Sequence, residues 1–328
     1  MKKVVILATG GTIAGRGEMG RETNYRSGEI GAEELLAGVP GLERLAVPEI
    51  HQVANVNSDD ISAAHWLELE RIIRERAEDP EVAGFVITHG TDTLEETAFF
   101  LHLTVKTDKP VVLTGSMRPA TATSADGPGN LYAAVAAAVS PEAVGRGVLA
   151  VFADRIYSAR EVQKVSTFAL EAFNGRDYGC LGYVLEDRAV FVQQNRKPAP
   201  EEVFAVAGLT ELPPVAVLYF TVDADPALVL YAAEISCGLV LAGGGNGNYS
   251  LRWKEAVEKL VRRIFPVVRC SRTGNGPITR DDGFDCSGNV IRGGNLPPAK
   301  ARILLQLALT QSSSPAGLKA AFERWVER

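Results

Sequence analysis

Two short segments of the sequence combine threonine hydroxyls with glycine, a combination that could carry chemistry. They are Thr9–Gly15 (TGGTIAG) and Thr88–Thr93 (THGTDT). A hydroxyl can act as a nucleophile or as a hydrogen-bonding group, and glycine lets backbone N–H groups approach a ligand closely. Taken singly, each segment is as compatible with a simple turn as with a functional site.

The signatures of several other enzyme classes are absent from the sequence. The first segment lacks the glycine spacing of the dinucleotide motif, and no P-loop, H-E-x-x-H, G-x-S-x-G or S-x-x-K motif occurs. The four histidines form no recognisable ligand pair, and His89 is predicted to be structural. The four cysteines contain no C-x-x-C pair and are predicted to be free thiols. We therefore predict no metal and no cofactor, and infer threonine chemistry assisted by a group other than histidine.

A threonine hydroxyl is a weak nucleophile at neutral pH and needs a base, a role that a lysine amine can take in a suitable environment. Lys164 lies in the segment 160–167 (REVQKVST). Its spacing alone is that of an ordinary surface lysine, and Tyr25 is likewise compatible with an ordinary loop tyrosine.

The elements that must position the two segments alternate along the first two-thirds of the chain. Predicted strands are continuous apolar runs, as expected for strands buried on both faces: Val4–Ala8, Phe85–Thr88, Val111–Thr114 and Val148–Phe152. Predicted helices are one capped by Ser58, Asp59 and Asp60, with Leu69, Ile72, Ile73 and Ala77 on one face, then Glu95–Leu103 and Leu131–Val139. This alternation predicts a parallel sheet with right-handed crossovers. Because ligands bind beyond the carboxyl ends of such strands, both segments should face one crevice.

The segment 193–214 interrupts this alternation with several prolines and is predicted to be a linker. The alternation then resumes. The predicted elements of the second half are listed in chain order: Val215–Phe220, Pro226–Ile235, Gly238–Ala242, Trp253–Ile264, Pro266–Arg269, Ala299–Leu309 and Ala316–Val326. The sequence thus predicts an α/β protein with an N-terminal catalytic domain (1–192), the linker (193–214) and a smaller C-terminal α/β domain (215–328).

Composition and charge exclude some partners. A net charge of −6 in 328 residues argues against binding to a phosphate backbone, so no nucleic acid is expected. No apolar stretch reaches the roughly 18 residues of a membrane span, so no membrane partner is expected. The run Val4–Ala8 is shorter than the roughly 7–15 residues of a signal-peptide core. A cytoplasmic location is predicted, with the mature form of a periplasmic or secreted protein as the alternative.

Several separated motifs resemble those of the bacterial-type L-asparaginase family (asparaginases and glutaminases). Thr9–Gly15 and His89–Thr93 resemble its two signature turns, and further matches extend over nearly the whole chain. These are Asn24-Tyr25 with Gly28–Gly31, Gly115–Pro119, Ser124–Pro128, Asn130–Tyr132, Gly245–Asn248 and Ala299–Thr310. The resemblance implies an L-asparagine amidohydrolase that forms L-aspartate and ammonia through a threonine acyl-enzyme, without cofactor or metal.

The resemblance also implies roles for individual residues. Thr12 corresponds to the nucleophile and Tyr25 to a loop tyrosine that assists it. Thr91, Asp92 and Lys164 correspond to a second cluster, in which the threonine positions water or a proton and the lysine activates.

Ser58 and Asp59 match positions that bind the α-carboxylate and α-amino group of the substrate, and Asp92 also matches an α-amino contact. A zwitterionic substrate needs such opposite partners. Ser116 matches a backbone site near the departing amide.

The family resemblance further implies a homotetramer built from intimate dimers, in which the second domain completes the site of a neighbouring subunit. Asn248 matches a contact donated by the neighbour. A glutamate that the family's secreted members donate in the same way aligns with Gly283 here, and the adjacent Asp282 could take its place.

Two alternatives stay open at this stage. A mixed glutaminase-asparaginase differs only in accepting one more methylene, which is worth about 1–3 kcal/mol in a pocket; Asn248 favours asparagine mildly. A non-catalytic amino-acid sensor on the same scaffold has no need of Thr12, Thr91, Asp92 and Lys164 together. A nucleotide-binding protein is disfavoured by the glycine spacing.

Overall fold

The computed structural model describes residues 2–21, 25–195, 198–199, 201–279, 285 and 288–326. The chain forms two compact units, residues 1–210 and 211–328. Around residues 204–206 the chain packs onto the first unit, where Phe204 and Val206 are buried and the Phe204 N–H donates to the Leu103 carbonyl at 2.8 Å.

The first unit is built on an eight-stranded sheet and a separate two-stranded ribbon. The sheet strands are β1 (Lys3–Gly10), β2 (Val47–Val56), β3 (Val82–Thr88), β4 (Val111–Thr114), β5 (Val148–Phe152), β6 (Arg155–Ser158), β9 (Gly182–Leu185) and β10 (Arg188–Phe191). The ribbon pairs β7 (Gln163–Lys164) with β8 (Phe173–Asn174). The helices are α1 (Ala32–Ala37), α2 (Leu42–Leu45), α3 (Ala63–Ala77), α4 (Leu94–Thr104) and α5 (Gly127–Val139).

The strand order is β10-β9-β6-β5-β4-β3-β1-β2. The five strands β2, β1, β3, β4 and β5 are parallel, which confirms the predicted α/β architecture. The sheet is extended by β6, β9 and β10, which are antiparallel and were not predicted. Each of these strands has four residues and carries charged or glycine positions, so none forms the continuous apolar run that marked the buried strands. The edge strand β2 was missed because it is only partly buried and mixes polar with apolar residues.

The start of α3 differs from the prediction. Ser58–Asp60 form a separate 3₁₀ helix, and the chain is extended at Ile61, which separates them from the α-helix. The N-cap of α3 is Ser62, whose backbone N–H donates to Nδ1 of His65 at 3.1 Å. The predicted caps therefore serve a different turn, while Leu69, Ile72 and Ile73 are buried on the core face as expected.

The second unit contains a four-stranded parallel sheet with strands in chain order, β11 (Val215–Tyr219), β12 (Gly238–Gly243), β13 (Val267–Ser271) and β14 (Ile291–Arg292). Its helices are α6 (Ala227–Glu234), α7 (Leu251–Val261), α8 (Pro298–Gln311) and α9 (Pro315–Val326). Trp253 on α7 is fully buried against Leu239 and Leu241 of β12. The predicted smaller α/β unit is thus confirmed. Over the part of the chain that the structure describes, no helix is both long enough and apolar enough to span a membrane.

Candidate active site

The two threonine- and glycine-containing segments lie at the carboxyl ends of neighbouring strands. β1 and β3 pair in parallel, with Ala8 opposite Thr88, and each segment follows directly from its strand. The order β2-β1-β3 places β1 between its two chain successors, so the direction in which the chain winds reverses here. A topological switch of this kind opens a crevice at the carboxyl ends of the strands, where open α/β sheets bind ligands.

The two turns are in direct contact, and glycine makes the contact possible. A Cβ atom on Gly11 would lie 2.4 Å from the backbone of Gly90, and Gly11 has a φ of 79°. Thr9 donates its hydroxyl to the Thr88 carbonyl at 2.9 Å, and the Gly11 N–H donates to the Val56 carbonyl at 2.9 Å. The first turn is therefore held against the second without intervening side chains.

Thr12 and Tyr25 form the first side-chain pair of the site. Thr12 begins a 3₁₀ turn, Thr12–Ala14, and its Oγ1 lies 2.8 Å from the Tyr25 hydroxyl, with Thr12 buried and Tyr25 half-buried. A Cβ on Gly15 would lie 2.8 Å from the Tyr25 ring, so the glycine leaves room for the aromatic side chain. The Thr12 hydroxyl thus lies beside a phenol that can exchange a proton with it.

The loop that carries Tyr25 is tied to the body of the first unit at several points. Arg16 and Arg26 exchange backbone hydrogen bonds at 3.0 and 2.9 Å. The Gly17 N–H donates to the Thr121 hydroxyl at 3.0 Å, and the Gly20 N–H donates to the Thr121 carbonyl at 2.9 Å. The Arg16–Arg26 pair closes the loop on itself, and the two bonds to Thr121 tie it to the rest of the first unit. Asn24, which belongs to the quoted motif, lies outside the described residues.

Thr91, Asp92 and Lys164 form the second cluster. The Lys164 ammonium donates to Thr91 Oγ1 at 2.8 Å and to Asp92 Oδ1 at 2.5 Å. Thr91 is buried, the Lys164 side chain is 17% exposed and the Asp92 side chain is 68% exposed. The lysine therefore reaches from the interior of the unit toward a carboxylate at the surface, unlike the solvent-directed lysine that its spacing alone suggested.

Ser58 lies next to the second turn and Asp59 is exposed beside it. Ser58 is buried, and its Cβ is 2.8 Å from the point where Gly90 would carry a side chain. The Thr93 hydroxyl donates to the Ser58 carbonyl at 2.7 Å. Ser58 thus contacts the second turn, and Asp59 follows it in an exposed position.

Ser116 follows β4, the next strand of the sheet, and uses its hydroxyl internally. It is buried and donates to the Arg118 carbonyl at 2.7 Å. The Asp126 carboxylate accepts from the Met117 and Arg118 N–H groups at 2.9 Å each, and the Asn130 amide donates to the Gly115 carbonyl at 2.9 Å. The Ser116 hydroxyl is therefore satisfied within the turn, which is braced by Asp126 and Asn130, two residues to which the sequence analysis gave no individual role. Both lie in segments that the family resemblance quoted, Ser124–Pro128 and Asn130–Tyr132, and that was the available signal.

His89 is buried and hydrogen-bonds to the main chain of the second turn. Its Nδ1 donates to the Gly90 carbonyl at 2.7 Å, and its Nε2 accepts from the Thr97 hydroxyl at 2.8 Å. That hydroxyl in turn accepts from Trp66 Nε1 at 2.8 Å. A neutral imidazole fits this chain of hydrogen bonds, and complete burial lowers the pKa of His89 to about 4. The predicted structural role of His89 fits this buried network.

We expect the stability of the protein to fall as pH is lowered through this range. Unfolding restores an ordinary histidine pKa near 6.5, so between about pH 6.5 and 4 the unfolded chain binds a proton that the folded chain does not. The neutral His89 therefore contributes fully to the free energy of unfolding above pH 6.5. This contribution decreases toward pH 4 by up to about 1.4 kcal/mol per pH unit. Calorimetric melting midpoints between pH 6.5 and 5 measure this. A matched His89→Gln variant should show a shallower decline, and parallel slopes would refute the assignment.

The remaining predicted site residues belong to the second unit. Asn248 is exposed and closes a tight turn after β12, in which the Gly244 N–H donates to the Asn248 carbonyl at 2.8 Å and the reverse bond measures 2.7 Å. The Asn246 side chain accepts from the Thr279 N–H at 2.6 Å and braces this turn. Asp282 and Gly283 lie outside the described residues. Within the described ranges, no group of three His, Cys, Asp or Glu side chains is placed to hold a metal ion.

Two family models and several known proteins match this chain over most of its length. A family model described as asparaginase, N-terminal, matches residues 3–198, and one described as glutaminase/asparaginase C-terminal domain matches residues 214–322. A protein named L-asparaginase 2 from Bacillus subtilis (strain 168) is 41% identical over 99% of this chain and 87% of its own length. A glutaminase-asparaginase from Pseudomonas fluorescens biotype A is 38% identical over 98% of this chain and 90% of its own.

A solved structure gives the same result for the fold. The crystal structure of a probable cytoplasmic L-asparaginase from Campylobacter jejuni superposes with a TM-score of 0.90 and 38% sequence identity, covering 98% of this chain and 99% of the other. Both family models, the relatives over nearly the full length and the superposed fold agree on one family. The chain belongs to the bacterial-type asparaginase family, which includes the glutaminase-asparaginases.

Proposed function

We propose that this enzyme hydrolyses the side-chain amide of L-asparagine to L-aspartate and ammonia through a threonine acyl-enzyme. The observation that carries the proposal is the Lys164 ammonium, held on both Thr91 and Asp92 in the turn that touches the Thr12 turn. A two-step amide hydrolysis can use two such groups. The first is a nucleophile, Thr12, beside a group that can exchange a proton with it, and the second is a hydroxyl, that of Thr91, hydrogen-bonded to the Lys164 ammonium.

In the first step Thr12 Oγ1 attacks the amide carbon and Tyr25, 2.8 Å away, takes part in moving its proton. The carbonyl oxygen becomes an oxyanion, for which the backbone N–H groups of the glycine-containing turns are suitable donors. The C–N bond then breaks, a proton is delivered to the leaving nitrogen, and ammonia departs. The aspartyl group is left as an ester on Thr12.

In the second step water attacks this ester and releases L-aspartate, which restores the Thr12 hydroxyl. Thr91 is proposed to orient that water or relay its proton, because its own hydroxyl is fixed by the Lys164 ammonium at 2.8 Å. Asp92 balances the charge of the lysine at 2.5 Å. The cluster is therefore proposed to act on the proton movements of this second addition to the carbonyl carbon.

Substrate recognition is proposed to use opposite charges on either side of the α-carbon. Asp59 and Asp92 would meet the ammonium group, while the Ser58 hydroxyl and nearby turn amides would meet the carboxylate. Ser116 would contribute main-chain contacts near the departing amide, because its hydroxyl is already bonded to the Arg118 carbonyl.

The proposal is tested by ammonia release measured in parallel with L-asparagine and L-glutamine over a concentration series. We expect higher kcat/KM for asparagine. Absence of ammonia from both substrates in well-folded protein would overturn the proposed activity.

A mixed glutaminase-asparaginase is the second candidate, favoured by the 38% identity to a relative of that name. One methylene separates the substrates and is worth roughly 10–200-fold in discrimination. Nearly equal kcat/KM for the two amides would select this candidate.

We further propose that the protein is a homotetramer of intimate dimers, with domains 1–192 and 215–328 joined by the segment 193–214. The second domain would complete a site on a neighbouring subunit through Asn248, which is exposed on a braced turn as such a contact requires. Asp282 is proposed to join this contact in place of a glutamate.

Light scattering is therefore expected to give an oligomeric mass at concentrations where the enzyme is active. An Asn248→Ala variant should keep that mass while its KM rises. A monomeric mass together with full activity at the same concentration would contradict the assembly.

A cytoplasmic location is proposed as well, with the mature form of an exported protein as the alternative. The solved relative is described as a probable cytoplasmic enzyme. The apolar run Val4–Ala8, which could have suggested part of a signal peptide, is buried within β1 of the sheet.

A further inference from the structure

Lys164 does not belong to the eight-stranded sheet of the first unit. The residue lies on β7, a two-residue strand that pairs with β8, where Lys164 stands opposite Phe173. In the same ladder the Val165 N–H donates to the Ala172 carbonyl at 2.7 Å. Because successive N–H groups of an antiparallel strand point to opposite sides, the Lys164 N–H points away from β8. Some other group must satisfy it and fix the strand relative to Thr91.

That group is Glu95. Its Oε2 accepts a hydrogen bond from the Lys164 backbone N–H at 2.5 Å, across 69 positions of sequence. Glu95 lies in the first turn of α4, four residues after Thr91 and three after Asp92. The short segment 91–95 therefore binds Lys164 at two points. Thr91 and Asp92 accept from the Lys164 ammonium, and Glu95 accepts from the Lys164 backbone N–H.

A buried cation lies near Glu95. Glu95 is half-buried, and the guanidinium of Arg176, whose side chain is only 2% exposed, interacts electrostatically with it. Arg176 also lies 3.7 Å from the carboxylate of Glu161, which is on the same chain segment as Lys164. The Arg176 guanidinium thus interacts with an acidic group on each of the two segments, the start of α4 and the segment that carries Lys164.

We propose that Glu95 is a positioning residue for the amide hydrolysis, fixing the Lys164 backbone so that the ammonium reaches Thr91. This rests on the role proposed above for Lys164. Displacing a catalytic group by about 1 Å can cost on the order of 10² in rate. A carboxylate that never touches the substrate can therefore control turnover through the lysine.

A simpler explanation of Glu95 is that an acidic residue stabilises the N-terminal turn of a helix. Glu96 occupies the same first turn of α4 and provides the matched control, because it shares that general effect and makes no bond to the Lys164 N–H. The variants Glu95→Ala, Glu95→Gln, Glu95→Asp and Glu96→Ala of the full chain separate the two explanations.

We expect Glu95→Ala to lower kcat for L-asparagine about 10- to 100-fold, with KM within about threefold of wild type, because proton transfer is impaired more than ground-state binding. Glu95→Gln keeps an acceptor oxygen at the same reach and should retain at least about a third of wild-type kcat. Glu95→Asp is too short by one methylene and should fall between them. Glu96→Ala should stay within about twofold.

Amide hydrogen exchange gives a readout that does not depend on activity. Peptides covering residues 160–166 should exchange faster in Glu95→Ala than in wild type, and Glu95→Gln should restore protection. If Glu95→Ala does not fold, the Glu95→Asp and Glu95→Gln pair carries the same comparison.

Wild-type kcat in Glu95→Ala, equal losses in the Ala and Gln variants, or unchanged exchange at residues 160–166 would each overturn the inference. If the wild-type protein released no ammonia from either amide, the proposed function would fail by itself. The exchange measurement would then still decide whether Glu95 holds Lys164.

Discussion

Replacing Thr12 with alanine is expected to reduce kcat for L-asparagine by at least about 10⁴-fold while leaving the fold intact. Loss of a nucleophile in covalent catalysis has effects of this size. The Thr12 hydroxyl contacts the Tyr25 hydroxyl at 2.8 Å, and a short 3₁₀ turn after β1 accepts alanine without strain, so folding should not depend on the removed atoms. Steady-state ammonia release and circular dichroism of the same preparation measure both halves of the prediction.

Thr12→Ser provides the matched control for this experiment. It keeps a hydroxyl and removes a methyl group, so measurable turnover should survive, and an acyl-enzyme should be detectable by mass spectrometry after rapid quenching with asparagine. Substantial activity in a well-folded Thr12→Ala protein would remove Thr12 from the role of nucleophile.

Replacing Lys164 with methionine is expected to lower kcat by about 10²–10⁴-fold, the usual weight of a positioned proton-transfer group. Methionine keeps most of the volume of the lysine stem and removes the ammonium, so Thr91 and Asp92 lose the donor at 2.8 and 2.5 Å without creating a large cavity. Rates of ammonia release at saturating asparagine measure the effect.

Lys106→Met is the control for the Lys164 variant, because Lys106 is exposed at the end of α4 and its replacement makes the same chemical change far from the cluster. Its kcat should equal that of wild type. A loss of less than threefold in Lys164→Met would return Lys164 to the status of an ordinary surface lysine.

The central strands and most helices were predictable from local pattern. β4 and β5 coincide with their predicted bounds, and β1 and β3 extend theirs by a few residues, because strands buried on both faces require unbroken apolar runs. The short antiparallel strands β6, β9 and β10 escaped prediction because their pairing with distant partners, and not their own composition, makes them strands.

Part of the site was likewise visible in the sequence. Thr12, Thr91 and Asp92 follow directly after predicted strands, so the rule that ligands bind beyond the carboxyl ends of parallel strands brings them to one crevice. The family resemblance pointed to Lys164 and Tyr25, for which spacing alone indicated a surface lysine and a loop tyrosine.

The amino-acid sequence by itself determined which segments become buried strands, where tight glycine-containing turns follow them, and hence where the hydroxyls of Thr12 and Thr91 emerge. Only the tertiary structure decided that the Lys164 ammonium contacts Thr91 and Asp92, that the Glu95 carboxylate accepts from the Lys164 N–H, and that burial lowers the pKa of His89. The physical reason is range. Periodicity, propensity and turn chemistry act between residues a few positions apart, whereas bonds across about 70 positions depend on the order of strands in the sheet and on burial, which no local segment encodes.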